Sequence, residues 1–293
     1  MRILVTGGTG FVGGHAVPAL VAAGHHVRVM ARSVHGSLPE GVEFVPGTVT
    51  DVDSIRAAAE GMEACLHLVA VIVERGGQTF HRINAKGTED VVRACADAGV
   101  TRFVHQSALG VREGLDAFPY LHTKWLGEEA VRASSLAWTI LRPGALFGEG
   151  AGFFRPIVWN LRWLPIHPLP NGGRTKFQPL FVQDLARCIV ACFEGTGVGE
   201  TVEIGGPEVL SFRDLTEVVM DALGKRRPMV PVPLWGARIF ATMQELRKEP
   251  LVTNKQLSMV VLDNVTDLDS VERRFGFVPS GMRETDLRWL AKL

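Results

Sequence analysis

Gly7, Gly10 and Gly13 constrain this chain more than any other feature. They form a G-x-x-G-x-x-G run directly after the apolar stretch Arg2–Thr6 and at the mouth of an amphipathic stretch, Gly10–Ala23. A strand that becomes a helix through such a loop turns backbone N–H groups toward an anion, with no side chain in the way. The glycines allow a tight turn, close approach of a pyrophosphate and close packing of helix on strand. Thr6 and Thr9 add hydroxyls beside the loop. A ligand-free Gly-rich turn could share this spacing. Its position between a strand and a helix, with more such units behind it, argues for dinucleotide binding.

That alternation continues through the first two thirds of the chain. Apolar runs at His26–Ala31, Val42–Val45, Cys65–Val73, Arg102–Gln106 and Trp138–Leu141 read as strands. Amphipathic runs at Ser54–Gly61, Thr79–Ala98 and Tyr120–Ala133 read as helices. Strands apolar throughout belong to a parallel sheet covered on both faces. The expected class is α/β, a Rossmann-type doubly wound parallel sheet. The pattern changes near Gly148. Ala151–Pro170 breaks the alternation, Asp184–Phe193 reads as a helix and Glu200–Ile204 as a returning strand. Ser211–Leu223, Leu234–Leu246, Asn254–Leu262 and Asp267–Phe275 then read as helices, with Ser211 and Asp214 suited to cap the first. Residues 1–150 with 177–205 are expected to form a nucleotide-binding domain. Residues 151–176 with 206–293 are expected to form a smaller, mainly helical lobe for substrate or partner.

Composition narrows the function. Thirty-one basic residues balance 31 acidic ones, which argues against a nucleic-acid partner. The longest nearly apolar run, Ala64–Val73, is half of what a membrane span needs and contains His67. The N-terminal run is too short for a signal-peptide core, so the expected location is cytoplasmic. Cys65, Cys95, Cys188 and Cys192 show no C-x-x-C spacing and read as reduced core thiols. No metal site is expected. His167, among prolines, reads as a loop residue.

TGGTGFVGGH, followed in chain order by LHLVA, INAKGTEDVVRAC, ILRPGALFGEG and FQPLFVQDLA, resembles the extended short-chain dehydrogenase/reductase family. FVHQSALG and YLHTKWLGEEAVRAS bring it nearest to an atypical subgroup. That subgroup contains the NADPH-binding accessory subunit of respiratory complex I and its bacterial relatives. The resemblance implies cofactor contacts from Thr6, Gly7, Gly10, Phe11, Val12 and Gly13 in the loop. It implies further contacts from Leu68 and Ala70 after the fourth strand, Asn84 in the N-x-x-G-T helix and Pro143 in the R-P loop.

The end of the second strand selects between cofactors. It runs VRVMARS, with no acid between His25 and Pro39. Arg32 and Ser33 suit a 2′-phosphate, and no carboxylate awaits a ribose 2′-OH. The expected cofactor is NADP(H), with NAD(H) as the alternative. Thr48 stands where the family usually has an acid after the third strand.

The chain has one tyrosine, Tyr120, and Lys124 follows it by one helical turn. Spacing of four places both on one helix face. In the resembling family this Y-x-x-x-K pair carries the chemistry. The ammonium favours the phenolate and bonds the nicotinamide ribose, while Tyr acts as general acid or base. On that reading Tyr120 should ionise below pH 10. The family's third group is a serine after the fifth strand, often the second of a pair. Here that second position is Ala108 and only Ser107 remains. The expected catalytic set is therefore Tyr120, Lys124 and Ser107.

Arg155, Arg162, Arg174 and Lys176 lie in an acid-free stretch among Phe153, Phe154, Trp159 and Trp163. Arg with Trp, Phe and Leu suits a helix in a lipid headgroup layer; it equally suits the wall of a substrate pocket. Trp235, Ile239 and Phe240 form a second greasy stretch. The expected partner is a small apolar substrate such as a quinone or a lipophilic ketone. The expected function is an NAD(P)H-dependent reductase. The alternative is a non-catalytic NADPH-binding accessory or sensor protein in peripheral contact with a membrane or respiratory complex.

Overall fold

The apolar runs do become parallel strands. The computed structural model describes residues 1–34, 36–247 and 250–293. β1 (Arg2–Thr6), β2 (His26–Ala31), β3 (Glu43–Pro46), β4 (Ala64–His67), β5 (Arg102–Gln106) and β6 (Ala137–Pro143) join the strand Glu200–Ile204 in one sheet. Its order is Glu200–Ile204, β6, β5, β4, β1, β2, β3. β1 to β6 pair in parallel. Chain order reverses between β1 and β4, the switch point at which doubly wound sheets open a crevice beyond their carboxyl ends.

The helices between these strands are α1 (Gly13–Ala22), α2 (Val52–Ala59), α3 (Gly87–Asp97) and α4 (Pro119–Arg132). α5 (Arg155–Trp163) and α6 (Val182–Phe193) follow β6. α1 packs with α6, and α3 packs between α2 and α4. Ile3, Leu4 and Val5 are all fully buried, as a sheet covered on both faces requires. Leu4, Met30, Cys65 and Phe103 form one core with Ile55 of α2, Val91 and Cys95 of α3 and Val131 of α4.

Three sequence expectations need correction. α1 starts at Gly13, not Gly10, because Gly10 N–H closes a turn on Gly7 O at 3.0 Å. β4 stops at His67, not Val73. Its last partner on β1 is Thr6, after which β1 turns into the glycine loop and the ladder has no edge to follow. The helix expected over Thr79–Ala98 opens as a π-helix, His81–Lys86, before α3.

The chain divides into two units, Met1–Pro143 with Val182–Glu203 and Gly144–Phe181 with Ile204–Leu293. The second holds α5, α7 (Phe212–Leu223), α8 (Leu234–Glu245), α9 (Asn254–Met259) and α10 (Ser270–Phe275). Ser211 and Asp214 form the capping box of α7. His167 corrects another expectation. It is buried, in a short strand, His167–Pro170, that pairs in parallel with Met229–Val232. Burial pushes its pKa down to about 4. In the basic aromatic stretch Phe154, Ile157, Val158 and Leu161 are core, whereas Trp163 is 71% exposed. α8 buries only Ala241 and Gln244 and leaves Trp235, Ile239, Phe240 and Met243 exposed. No described helix is long and apolar enough to cross a membrane. All four cysteines are buried.

Candidate functional site

The expected site residues all belong to the first unit and gather near the carboxyl ends of its strands. Gly7 leaves β1 at φ +79°, and a Cβ there would press on Leu68 and Val69. A Cβ on Gly13 would lie 2.4 Å from Gly8 O, so no other residue lets α1 start this close to the loop. Val12 gives α1 no side-chain cap, and its first turn carries no acid. The amides there remain free of capping side chains, and the helix dipole favours negative charge. Gly10 is exposed, while Phe11 is half-buried with its ring edge-on to His15. This backbone cradle fits the pyrophosphate of a dinucleotide. Arg32 and Ser33 are exposed just beyond β2, the neighbour of β1.

Thr6, one of the expected cofactor contacts, turns its side chain into the sheet. It is fully buried, and its hydroxyl bonds His67 Nδ1 at 2.6 Å, so it is spent inside the sheet. His67 Nε2 lies 3.0 Å from Thr88 Oγ1, whose own proton goes to Asn84 O at 2.8 Å. Nε2 must therefore carry the imidazole proton, and Nδ1 accepts from Thr6. Burial pushes the His67 pKa down to about 3, so the ring is neutral. Asn84, another expected contact, is bonded to the segment after β4. Its amide donates to Val71 O at 3.0 Å and accepts from Val71 N–H at 2.8 Å, holding the segment after β4 as a strand partner would. Both amide groups are used by protein. Leu68 is half-buried and Ala70 exposed on that same segment.

Tyr120 and Lys124 lie on α4 as expected, but their electrostatics do not follow the expectation. Lys124 is buried, and its Nζ donates to Gln106 O at 2.6 Å and to His105 Nε2 at 3.4 Å. Burial lowers its pKa to about 8, with Glu128 opposing the fall. Tyr120 is half-buried, edge-on to Phe80, and burial pushes its pKa up to about 12 rather than below 10. The ammonium is engaged at the end of β5 and does not offset that burial. Ser107 N–H donates to Leu141 O at 2.7 Å, while its hydroxyl is buried without a partner among the described residues. Pro143 is buried, and its carbonyl accepts from Leu109 N–H at 2.9 Å.

Four side chains enter the site that the sequence reading did not select for it: His67, His105, Glu128 and Arg142. His105 is fully buried and stacks on His67, ring centroids 5.3 Å apart and planes 17° from parallel. Its Nδ1 has no partner among the described residues, an arrangement that costs about 1–3 kcal/mol. Glu128 is fully buried and takes a two-pronged bond from Arg142, at 2.9 and 2.7 Å, and another from Arg132. The available signal was an imidazole in each of two neighbouring parallel strands whose other central residues are apolar.

A family model described as NAD(P)H-binding matches residues 7–157, from the glycine loop past β6. The chain is 29% identical to a 2-alkyl-3-oxoalkanoate reductase of Stenotrophomonas maltophilia, over 99% of this chain and 98% of that protein. It is also 29% identical to mitochondrial NADH dehydrogenase [ubiquinone] 1 alpha subcomplex subunit 9 of Arabidopsis thaliana. There the match covers 82% of this chain and 62% of that protein. Among solved structures, the Bordetella bronchiseptica enzyme WbmH in complex with NAD+ superimposes with a TM-score of 0.75 at 18% identity. That match covers 99% of this chain and 97% of that one.

Proposed function

Because the chain belongs to the NAD(P)H-binding family of short-chain dehydrogenases/reductases, we propose that it is an oxidoreductase that reduces a lipophilic carbonyl. The carrying observation is the bond from Lys124 Nζ to Gln106 O. It ties α4, with Tyr120, to the end of β5, beside the buried and unpartnered Ser107 hydroxyl. A hydroxyl donor and a phenol on anchored elements are what a carbonyl oxygen gaining charge requires. Bound NAD(P)H supplies the hydride.

In this reading Gly7, Gly10, Phe11, Val12 and Gly13 receive the pyrophosphate, with Leu68, Ala70 and Pro143 beside the rest of the dinucleotide. The exposed Arg32 and Ser33 favour NADP(H) through its 2′-phosphate. Tyr120 gives a proton to the carbonyl oxygen, Ser107 donates a hydrogen bond to it, and Lys124 bonds the ribose. The 2-alkyl-3-oxoalkanoate reductase likeness supports a carbonyl on an alkyl chain. Two observations favour a second reading, a non-catalytic NADPH-binding accessory protein of a respiratory complex. Burial pushes the Tyr120 pKa up to about 12, which makes the phenol a weaker acid, and the relatives include a mitochondrial NADH dehydrogenase subunit.

The test is NADPH oxidation, followed by absorbance, with 2-alkyl-3-oxoalkanoates, ketosteroids and quinones as acceptors. Turnover with one class identifies the substrate. Tight NADPH binding with no oxidation by any of them supports the accessory reading.

A further inference from the structure

Lys124, on the reading that makes it the lysine partner of Tyr120, is held from β5. Lys124 is buried on α4, and both groups that receive its protons, Gln106 O and His105 Nε2, lie on β5. An ammonium facing His105 Nε2 needs that nitrogen's lone pair, so the His105 proton sits on Nδ1, where it has no partner. The ring is kept in this orientation from behind. It stacks on His67, which is clamped between Thr6 and Thr88 and cannot rotate without breaking both bonds.

We propose that His105 is a positioning residue. Its Nε2 lone pair, with the Gln106 carbonyl, fixes the Lys124 ammonium at the end of β5 and stabilises its charged form against burial. The other ionisable groups around it are accounted for. Glu128, one turn on, supports the charge but is shared between Arg132 of α4 and Arg142 of β6. Asp90 on α3 is bonded to Lys86 and Arg93. His67 is neutral, and Tyr120 is a neutral phenol. Burial brings Lys124 close to neutrality, to about 8, so the loss of one acceptor changes its protonation in the working range.

Three substitutions separate the lone pair from the ring. Gln places an amide oxygen near the position of Nε2, Asn is one methylene short of it, and Leu has no acceptor. The Lys124 side-chain resonance, in protein labelled at lysine Cε and Nζ, is assigned by its disappearance in Lys124→Met and titrated by NMR. His105→Leu and His105→Asn should lower its midpoint by about one unit, and His105→Gln should keep it. If Leu does not fold, Asn decides. A midpoint unchanged in Asn, or a Gln variant that shifts as Asn does, overturns the proposal. Calorimetric NADPH titration of the unsubstituted protein separates failure of the proposed function from failure of the His105 proposal. Absence of NADPH binding ends the oxidoreductase reading, while the Lys124 titration still decides the role of His105.

Discussion

At the ends of β1 and β2 the chain presents backbone amides, an exposed Gly10 and exposed Arg32 and Ser33, whereas at the ends of β4 and β5 it buries two imidazoles and an ammonium. The first region is open to solvent, and the second bonds its polar groups mainly to one another. A surface made of glycine and a helix N-terminus with no capping side chain accepts an anion with little rearrangement. A buried polar network is expensive to leave half-made, so it fixes positions instead. The largest effect should come from filling the first region. Gly10→Val puts a branched side chain where the pyrophosphate would sit, and its Cβ would already be 3.2 Å from Gly7 O. NADPH affinity should fall by about 1000-fold with a native circular-dichroism spectrum. Unchanged affinity would place the nucleotide elsewhere.

The second region is tested by Tyr120→Phe. With the proposed proton donor removed, kcat should fall by about 100-fold while NADPH affinity hardly changes. If both change together, the phenol is a binding contact, and the division between an anion cradle and a chemical region fails.

These regions also differ in how they can be read from sequence. The glycine loop is largely local: three glycines between a strand and a helix, Gly10 and Gly13 explained by Gly7 and Gly8 a few residues back, and only Gly7 also pressed by the distant Leu68 and Val69. The fold was legible for the same reason, since all-apolar strands alternating with amphipathic helices leave few topologies. The Tyr120–Lys124 spacing was legible as one helix face. Where Lys124 sends its protons was not, because His105 lies 19 residues away on another element. Thr6 looked like a cofactor hydroxyl because it borders the loop, yet its partner is His67, 61 residues on. Asn84 is a cofactor contact by resemblance, and nothing in its spacing announces that its amide bonds both backbone groups of Val71. Non-local pairing of buried polar groups has no periodicity to reveal it.

A smaller effect belongs to the rim of the first region. Arg32 is exposed, so its bond to a 2′-phosphate forms in contact with water and is worth less than a buried one. Arg32→Ala should lower the preference for NADPH over NADH by about 10-fold, with NADH affinity nearly constant. Calorimetry with both cofactors measures this, and equal affinities in the unsubstituted protein would remove the assignment to NADP(H).

The smallest effect is a change in acid sensitivity, and it tests whether the second region is a rigid platform. Burial holds the His67 pKa at about 3, against an ordinary value of 6.5. Between those values the unfolded chain binds a proton that the folded chain refuses. The stability that His67 contributes is therefore full above 6.5 and is lost as the pH falls toward 3. Asn at this position can retain one of the two threonine bonds and cannot titrate. His67→Asn should be less stable near pH 7 by about 1 kcal/mol, the net worth of one hydrogen bond. It should also lose less stability than the unsubstituted protein on acidification. His105 and His167, both held below the ordinary value by burial, keep their own share of that loss. Urea unfolding near pH 7 and near pH 5 provides the comparison. If the variant weakens as steeply as the parent, His67 is not the neutral, clamped imidazole behind His105, and the contrast between an open cradle and a fixed platform is lost.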